Sequence, residues 1–268
     1  MHPLITSHQN PKIKNIITLE KARERKRQNL FVIEGVKELS LAAEGKYKIN
    51  SVFFCPEIIS AETVRTIIKD ENLLIPVQQS VFEKIAYRDG TGGVIAVAEL
   101  KVHTLKNIQL RKNPLLLILE AVEKPGNLGA ILRTADAANV DAVIICDPHT
   151  DFYNPNVIRS SVGCIFTTQI ASATSEETIQ WLKENTIPIF ATYLQASKPY
   201  YEIDFTNPSA IIMGTESTGL SPVWIQHADA TIIIPMQGKI DSMNVSSAAA
   251  VVIFEANRQR SFTLNPWK

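Results

Sequence analysis

The sequence has few of the residues that mark several common classes of protein. Its 268 residues include only three cysteines, Cys55, Cys146 and Cys164, which lie far apart. An odd number of distant cysteines argues against a disulfide framework and a zinc site, and it favours buried free thiols. No apolar run approaches the roughly 20 residues needed to span a bilayer. The first residues also lack the apolar core of a secretory signal, so we expect a cytoplasmic protein with no membrane segment.

The short motifs of several enzyme classes are missing as well. The chain contains no Gly-x-Gly-x-x-Gly, no P-loop and no Gly-x-Ser-x-Gly nucleophile elbow. Its five histidines lack the spacing of metal ligands, so no metal site is expected. A cofactor, if the protein uses one, must therefore be held by another kind of site.

The formal net charge is zero, but basic residues are concentrated near the N-terminus. The segment from Pro11 to Arg27 carries a net charge of +5, which leaves −5 for the rest of the chain. Its spacing predicts a helix over roughly Pro11 to Lys26. A basic stripe of this kind is what contacts with nucleic-acid phosphates require. A solvated helix face has the same composition, and charge alone leaves both interpretations open.

The hydrophobic pattern changes near residue 100. Before it, helical stretches alternate with short strand-like runs such as Leu30–Ile33, which predicts a small α/β domain. After it, continuous apolar runs such as Leu115–Leu119 and Ala142–Cys146 are typical of buried strands in a parallel sheet with crossover helices. The predicted divisions are a first domain at residues 1–100, a linker at 101–113 and a parallel-sheet domain at 114–268.

The first segment with unusual chemistry runs from Pro125 to Asp136. Asn127 suits a helix N-cap, and the apolar residues after it have the spacing of a buried helix face. Arg133 lies between small residues one turn away on either side, which leaves room for a ligand to approach its guanidinium. The alternative is an exposed ion pair between Arg133 and Asp136, three residues along the helix.

The second segment runs from Ile212 to Ser221 and follows a buried strand. Parallel sheets bind ligands at the carboxyl ends of their strands. Gly214 and Gly219 enclose Glu216, and a plain turn would explain the glycines but not the acid. Ser221, followed by proline, predicts the start of a helix.

The third segment runs from Ile233 to Ala250. A loop after another strand carries Ser242 and Asn244 to the start of a helix, and capping alone could account for one of them. The helix itself is apolar on nearly every face, which indicates burial or contact between subunits.

In this order and spacing, the three segments resemble the SpoU/TrmH family of the SPOUT methyltransferases. The resemblance covers roughly residues 114–260. Two positions depart from it: Met243 stands where the third motif usually has Leu, and Lys124 stands where many relatives have Asp. A looser similarity to the ribosomal-protein-like substrate-binding domain of many members rests on Ser7, Asn10, Pro11, Lys14, Phe31, Glu34 and Gly35.

The resemblance implies both a fold and an activity. The expected fold is α/β, with a parallel-sheet domain tied in a deep trefoil knot and a small N-terminal α/β domain. The expected active form is a homodimer that pairs through the knotted domain. The expected activity is S-adenosylmethionine-dependent methylation of a ribose 2′-hydroxyl in ribosomal RNA. The alternatives are the same reaction on transfer RNA, methylation of a base, and a non-catalytic RNA-binding or ribosome-assembly protein of the same fold.

The resemblance also implies roles for individual residues. A guanidinium is effectively always protonated in proteins, so Arg133 is expected to clamp a phosphate and activate the hydroxyl electrostatically rather than act as a literal base. The implied catalytic set is Asn127, Arg133, Glu216, Ser242 and Asn244. The implied cofactor-binding set is Gly214, Thr215, Ile234, Met236, Gly238 and Met243. The implied RNA-binding set is Lys12, Lys14, Arg23 and Arg27.

Overall fold

The computed structural model describes residues 2–86, 92–148, 150–196, 198–215 and 218–260. The chain divides into two compact units, one made of residues 1–102 and 151–167 and the other of residues 103–150 and 168–268. Within the described ranges, no helix is both long enough and apolar enough to cross a membrane. The described His, Cys, Asp and Glu side chains form no group of three that could hold a metal ion.

The elements alternate along the chain as an α/β fold requires. The helices are α1 (Pro11–Thr18), α2 (Ala22–Gln28), α3 (Val36–Glu44), α4 (Ala61–Ile67), α5 (Gln79–Ile85), α6 (Pro125–Ala137), α7 (Pro155–Ser160), α8 (Ser175–Glu184), α9 (Pro222–His227) and α10 (Val245–Gln259). The strands are β1 (Leu30–Glu34), β2 (Ile49–Phe54), β3 (Leu74–Pro76), β4 (Val94–Glu99), β5 (Leu115–Glu120), β6 (Ala142–Cys146), β7 (Ile170–Ala173), β8 (Ile189–Thr192), β9 (Lys198–Pro199), β10 (Ser209–Met213) and β11 (Ala230–Ile233).

The first unit is built on a four-stranded sheet in the order β1-β4-β2-β3. The strand β4 pairs antiparallel with β1 and β2, whereas β2 and β3 are parallel. Phe31 and Ile33 of β1 are buried and alternate with half-buried residues, as expected for a strand with one face on the core. Ile13 and Ile16 of α1 pack into the same unit's apolar core.

The basic segment forms two helices rather than the single predicted one. The helix is interrupted between Thr18 and Ala22. The side chain of Arg25 stabilises the interruption, because its Nη1 donates to the carbonyl oxygens of Leu19 (2.8 Å) and Glu20 (2.7 Å). Those carbonyls lie just beyond the end of α1, where helix carbonyls have no partner within the helix. Arg25 is therefore a structural residue, only 2% exposed, and not part of a solvent-facing stripe.

Residues 151–167 belong to the first unit although the sequence places them in the C-terminal domain. Asp151 accepts from Nε and Nη2 of Arg25 at 2.7 and 2.6 Å. Tyr153 packs its ring against Phe31 with 4.3 Å between centroids, and its hydroxyl lies 3.3 Å from that of Tyr47. Burial raises the pKa of Tyr47 far above its ordinary value, so this hydroxyl stays neutral.

The second unit is built on a seven-stranded sheet in the order β7-β6-β5-β10-β8-β11-β9. Every pair in it is parallel, which confirms the predicted α/β fold with a parallel-sheet domain. All residues of β5, β6 and β10 are buried, as the continuous apolar runs indicated.

Helices cover both faces of this sheet. On one face, Ile179 and Leu182 of α8 and Trp224 of α9 join the core formed by Leu116 and Ile118 of β5. On the other face, α6 and α10 contact each other, and α10 also contacts β10. The helices that follow the neighbouring strands β5 and β10 therefore lie on opposite faces. Such a reversal opens a crevice between the carboxyl ends of the two strands, where α/β sheets bind ligands.

Candidate functional site

A cleft open to solvent lies beyond the carboxyl ends of β5 and β10. Three segments that are distant in sequence meet there, and they are the three that carry the motifs identified above. The residues lining the cleft are Val122, Glu123, Lys124, Asn127, Gly214, Thr215 and Val245.

The first wall is the turn between β5 and α6. Thr150 holds it, because its hydroxyl lies 3.1 Å from the carbonyl oxygen of Val122 and is also in contact with that of Glu123. The prediction that Asn127 caps the helix is wrong. The helix begins at Pro125, whose ring suits the first helical position, and Lys124 is the N-cap residue without a side-chain cap. Asn127 lies inside the first turn, where it lines the cleft.

The second wall is the main chain after β10. Thr215 and Gly219 exchange two main-chain hydrogen bonds of 3.1 Å, which close a tight loop. Gly214 lies directly against the end of this loop. A Cβ atom at Gly214 would lie 2.3 Å from the carbonyl carbon of Gly219 and 2.6 Å from the main-chain nitrogen of Leu220. Only glycine allows the two backbone segments to approach this closely.

The third wall is the start of α10. Asn244 is its N-cap, and the side-chain oxygen accepts from the main-chain nitrogen of Ser246 at 3.0 Å. The side-chain nitrogen donates to Oδ1 of Asn127 at 3.1 Å. Asn244 thus caps its own helix and also connects the first and third motifs across 117 residues of sequence.

Comparison with known proteins identifies the family to which this arrangement belongs. The model of the SpoU rRNA Methylase family matches residues 114–254, which is more than half of the chain. The chain belongs to the SpoU rRNA methylase family. A second model, the MRM3-like substrate binding domain, matches residues 10–96.

Individual relatives of the SpoU rRNA methylase family resemble the chain over nearly its whole length. It is 28% identical over 250 residues to the 23S rRNA (guanosine(2553)-2′-O)-methyltransferase RlmP of Bacillus subtilis, covering 93% of this chain and 97% of that protein. The crystal structure of an RNA 2′-O ribose methyltransferase matches with a TM-score of 0.85 and 35% identity, covering 97% of this chain and all of the other. An AdoMet-bound rRNA methyltransferase from Sinorhizobium meliloti matches with a TM-score of 0.87 and 30% identity, covering 96% and 97% of the two chains.

The cleft of this SpoU rRNA methylase contains only part of the predicted cofactor-binding set. Gly214 and Thr215 line it directly. The remaining four lie in the stretch that leads from β11 towards α10 and are not among the lining residues. Of these, Ile234 and Met236 are half-buried, and Gly238 and Met243 are exposed.

The predicted catalytic residues are also divided. Asn127 and Asn244 are joined by their hydrogen bond. Arg133 is exposed on α6, six residues beyond Asn127, and Ser242 is exposed with its hydroxyl 3.1 Å from Oδ1 of Asp241. Asp136 is exposed three residues beyond Arg133 on the same helix, and an ion pair between these two residues stays the alternative. Glu216 lies outside the described residues.

One residue beside the cleft was missed by the sequence analysis. Glu120, the last residue of β5, is 7% exposed, and its carboxylate accepts from the main-chain nitrogen of Ser221 at 2.8 Å and from its hydroxyl at 2.5 Å. Ser221 is the N-cap of α9, as predicted, but its side chain does not cap the helix. The available signal was a lone acid that ends an otherwise apolar buried strand, since a buried carboxylate requires donors.

The cysteines offer no nucleophile among these residues. Burial raises the pKa of Cys146 to about 12 and that of Cys55 to about 11, which keeps both thiols protonated at neutral pH. Both are buried free thiols, as predicted, whereas Cys164 is half-buried.

The predicted RNA-binding residues lie on α1 and α2 of the first unit. Lys12, Lys14 and Arg23 are exposed. Arg27 is exposed as well, but it forms an ion pair with Glu24, which offsets part of its charge.

Proposed function

We propose that this protein is an S-adenosylmethionine-dependent methyltransferase that modifies a ribose 2′-hydroxyl in ribosomal RNA. The observation that carries the proposal is the cleft at the carboxyl ends of β5 and β10, because all three motifs meet in it. Membership of the family and a relative named as a 23S rRNA 2′-O-methyltransferase support the substrate and the reaction. The AdoMet-bound neighbour supports the cofactor.

The lining of the cleft suits this cofactor. Val122 and Val245 provide apolar contacts for an adenine ring, and the main chain at Gly214 provides polar groups for its edge. Glu123 and Lys124 contribute one charge of each sign to the lining, and the carboxylate of Glu123 suits a ligand that carries a sulfonium and an ammonium group. We propose that Met236, Gly238, Met243 and Ile234 complete the pocket from the stretch before α10.

The chemistry requires a positioned hydroxyl and a route for its proton. When bound, the cofactor supplies the methyl group. Arg133, with its exposed guanidinium, would bind a phosphate of the RNA and orient the ribose, and the proton would leave through that phosphate or through water. Asn127 and Asn244, fixed by their mutual hydrogen bond, would order the sugar. Holding the reactants in line is worth roughly 7–11 kcal/mol in well-oriented systems.

Two architectural features belong to the proposal. We propose that the C-terminal part of the second unit is threaded as a trefoil knot, and that two copies pair through this unit. Support for the threading comes from α10, which returns from the β11 side of the sheet to contact α6. Asn257 of α10 also donates to the carbonyl oxygen of Ala138 at 2.7 Å.

The first unit would bind the RNA. We propose that it is a ribosomal-protein-like substrate-binding domain, as the match of residues 10–96 suggests. Its exposed cations on α1 and α2, Lys12, Lys14, Arg23 and Arg27, would contact phosphates.

Calorimetric titration tests the proposal. The purified protein should bind S-adenosylmethionine and transfer its methyl group to ribosomal RNA. Arg133→Ala should keep the cofactor affinity and lose transfer, whereas Lys183→Ala, which removes an exposed cation at the end of α8, should change neither. No binding by the unaltered protein would reject the proposal in favour of a non-catalytic RNA-binding role.

A further inference from the structure

The two walls of the cleft are joined by a buried carboxylate. Glu120 ends β5, two residues before Val122 on the first wall. It also accepts two hydrogen bonds from Ser221, which follows the loop on the second wall. Hydrogen bonds to an ionised acceptor are about twice as strong as neutral ones, and burial excludes water as a competitor.

The hydrogen bonds between Glu120 and Ser221 are connected to the lining of the cleft through the main chain. Ser221 directly follows Gly219 and Leu220. These are the two residues whose main-chain atoms a Cβ atom at Gly214 would meet. Gly219 is also the partner of Thr215 in the paired hydrogen bonds. A shift of Ser221 would therefore move both main-chain segments that bound the cleft on that side.

The side chain of Ser221 bonds to Glu120 and does not cap its own helix. A serine at an N-cap ordinarily accepts from the first turn of its own helix. Here its hydroxyl donates to Glu120 instead, and α9 has no side-chain cap.

We propose that Glu120 is a positioning residue for the cofactor cleft, since its carboxylate fixes Ser221 and thereby the main chain at Gly214 and Thr215. The proposal rests on the proposed function, in which that main chain binds S-adenosylmethionine. Glu120 does not line the cleft, so it acts through the loop and not by contact with the ligand.

The same buried network provides a matched control. Ser175 is 2% exposed, and its hydroxyl lies 2.8 Å from Asp147 and accepts from the indole nitrogen of Trp224 at 3.0 Å. Its hydroxyl also forms a long hydrogen bond of 3.4 Å to Glu120, and the described Gly214, Thr215, Gly219 and Ser221 are not among its hydrogen-bond partners. Ser175→Ala should therefore lower the melting temperature without moving the second wall.

The test compares Glu120→Gln, Ser221→Ala and the double variant by titration with S-adenosylmethionine. Each single variant should weaken binding by about tenfold, the effect expected from one hydrogen bond to a charged group. The double variant should be little worse than either single one, because both remove the bond between the same two groups. Ser175→Ala should bind as the unaltered protein does. If Glu120→Gln fails to fold, Ser221→Ala still decides, because Ser221 is only half-buried.

Amide hydrogen exchange on the ligand-free protein gives a second readout. The Ser221 and Gly219 amides should exchange faster in Glu120→Gln and at the original rate in Ser175→Ala. Unchanged exchange, or cofactor binding within twofold of the unaltered protein in both single variants, would overturn the positioning role. If the unaltered protein binds no S-adenosylmethionine, the proposed function fails, and the exchange rates alone decide the role of Glu120.

Discussion

Gly214→Ala is the change whose effect follows most directly from the structure. The added Cβ atom would lie 2.3 Å from the carbonyl carbon of Gly219, 2.5 Å from its oxygen and 2.6 Å from the nitrogen of Leu220. All three are main-chain atoms, so no side-chain rotation can relieve the contact. Because ordinary contacts begin near 3.4 Å, the loop must retreat by about 1 Å.

That displacement has two expected consequences. Overpacking of this kind costs roughly 1–3 kcal/mol of folding stability, and in a domain of this size each kcal/mol lowers the melting temperature by about 2–4 °C. Because the displaced segment lines the cleft, a 1 Å error should also reduce methyl transfer on the order of 100-fold. Cofactor affinity should fall with it.

The control is Gly126→Ala, in the first turn of α6. A Cβ atom there would meet nothing within 4 Å, and alanine favours helix more than glycine does. This variant should be as stable as the unaltered protein or slightly more so, with unchanged cofactor binding in calorimetry. If Gly214→Ala also binds S-adenosylmethionine within threefold of the unaltered protein and melts at the same temperature, the close approach of the two backbone segments does not shape the site.

Three further predictions concern the rest of the molecule. Arg25→Ala should lower the free energy of unfolding in urea by about 3–5 kcal/mol, because it leaves the Asp151 carboxylate without its buried partner. Replacement of the exposed Arg23 by alanine should change this free energy by no more than about 0.5 kcal/mol. Equal effects of the two substitutions would contradict the structural role of Arg25. Burial alone would raise the pKa of Asp141, but hydrogen bonds from Arg111 and from the main chain outweigh it and the net shift is downward. The stability that this pair contributes is therefore complete above about pH 5 and is lost as the pH falls below the ordinary carboxyl pKa near 4, and Arg111→Ala should flatten that part of the unfolding profile measured by circular dichroism. Replacement of Lys14, Arg23 and Arg27 together by glutamate should weaken RNA binding and make it less dependent on salt. Filter binding at several salt concentrations measures both effects. Retention of RNA equal to that of the unaltered protein would show that these residues do not lie in the RNA interface.

The sheet and the meeting of the three motifs could be predicted because their signals are local. Continuous apolar runs predicted β5 and β6 almost to the residue, and polar segments after parallel strands must meet at one edge of a sheet. The helix α8 also has a readable start, the capping box of Thr174 and Glu177, although it is not among the elements predicted from the sequence.

The rest depends on contacts between distant residues. No glycine or proline marks the break between α1 and α2, since the break is held by Arg25, whose partner Asp151 is 126 residues away. The position of Asn127 was misjudged because proline at the first helical position set the start of α6 three residues earlier than predicted. The role of Glu120 depends on Ser221, 101 residues further along the chain, and no local pattern announces that contact.

In the proposed function, the cleft binds the cofactor for methylation of a ribose hydroxyl in ribosomal RNA. The most direct measurement is a map of 2′-O-methylation across ribosomal RNA after incubation of unmodified RNA with S-adenosylmethionine and the purified protein, with Arg133→Ala as the comparison. We expect a new methyl group on a ribose oxygen with the unaltered protein and none with the variant. A methyl group on a base, or equal ribose methylation by the variant, would contradict it.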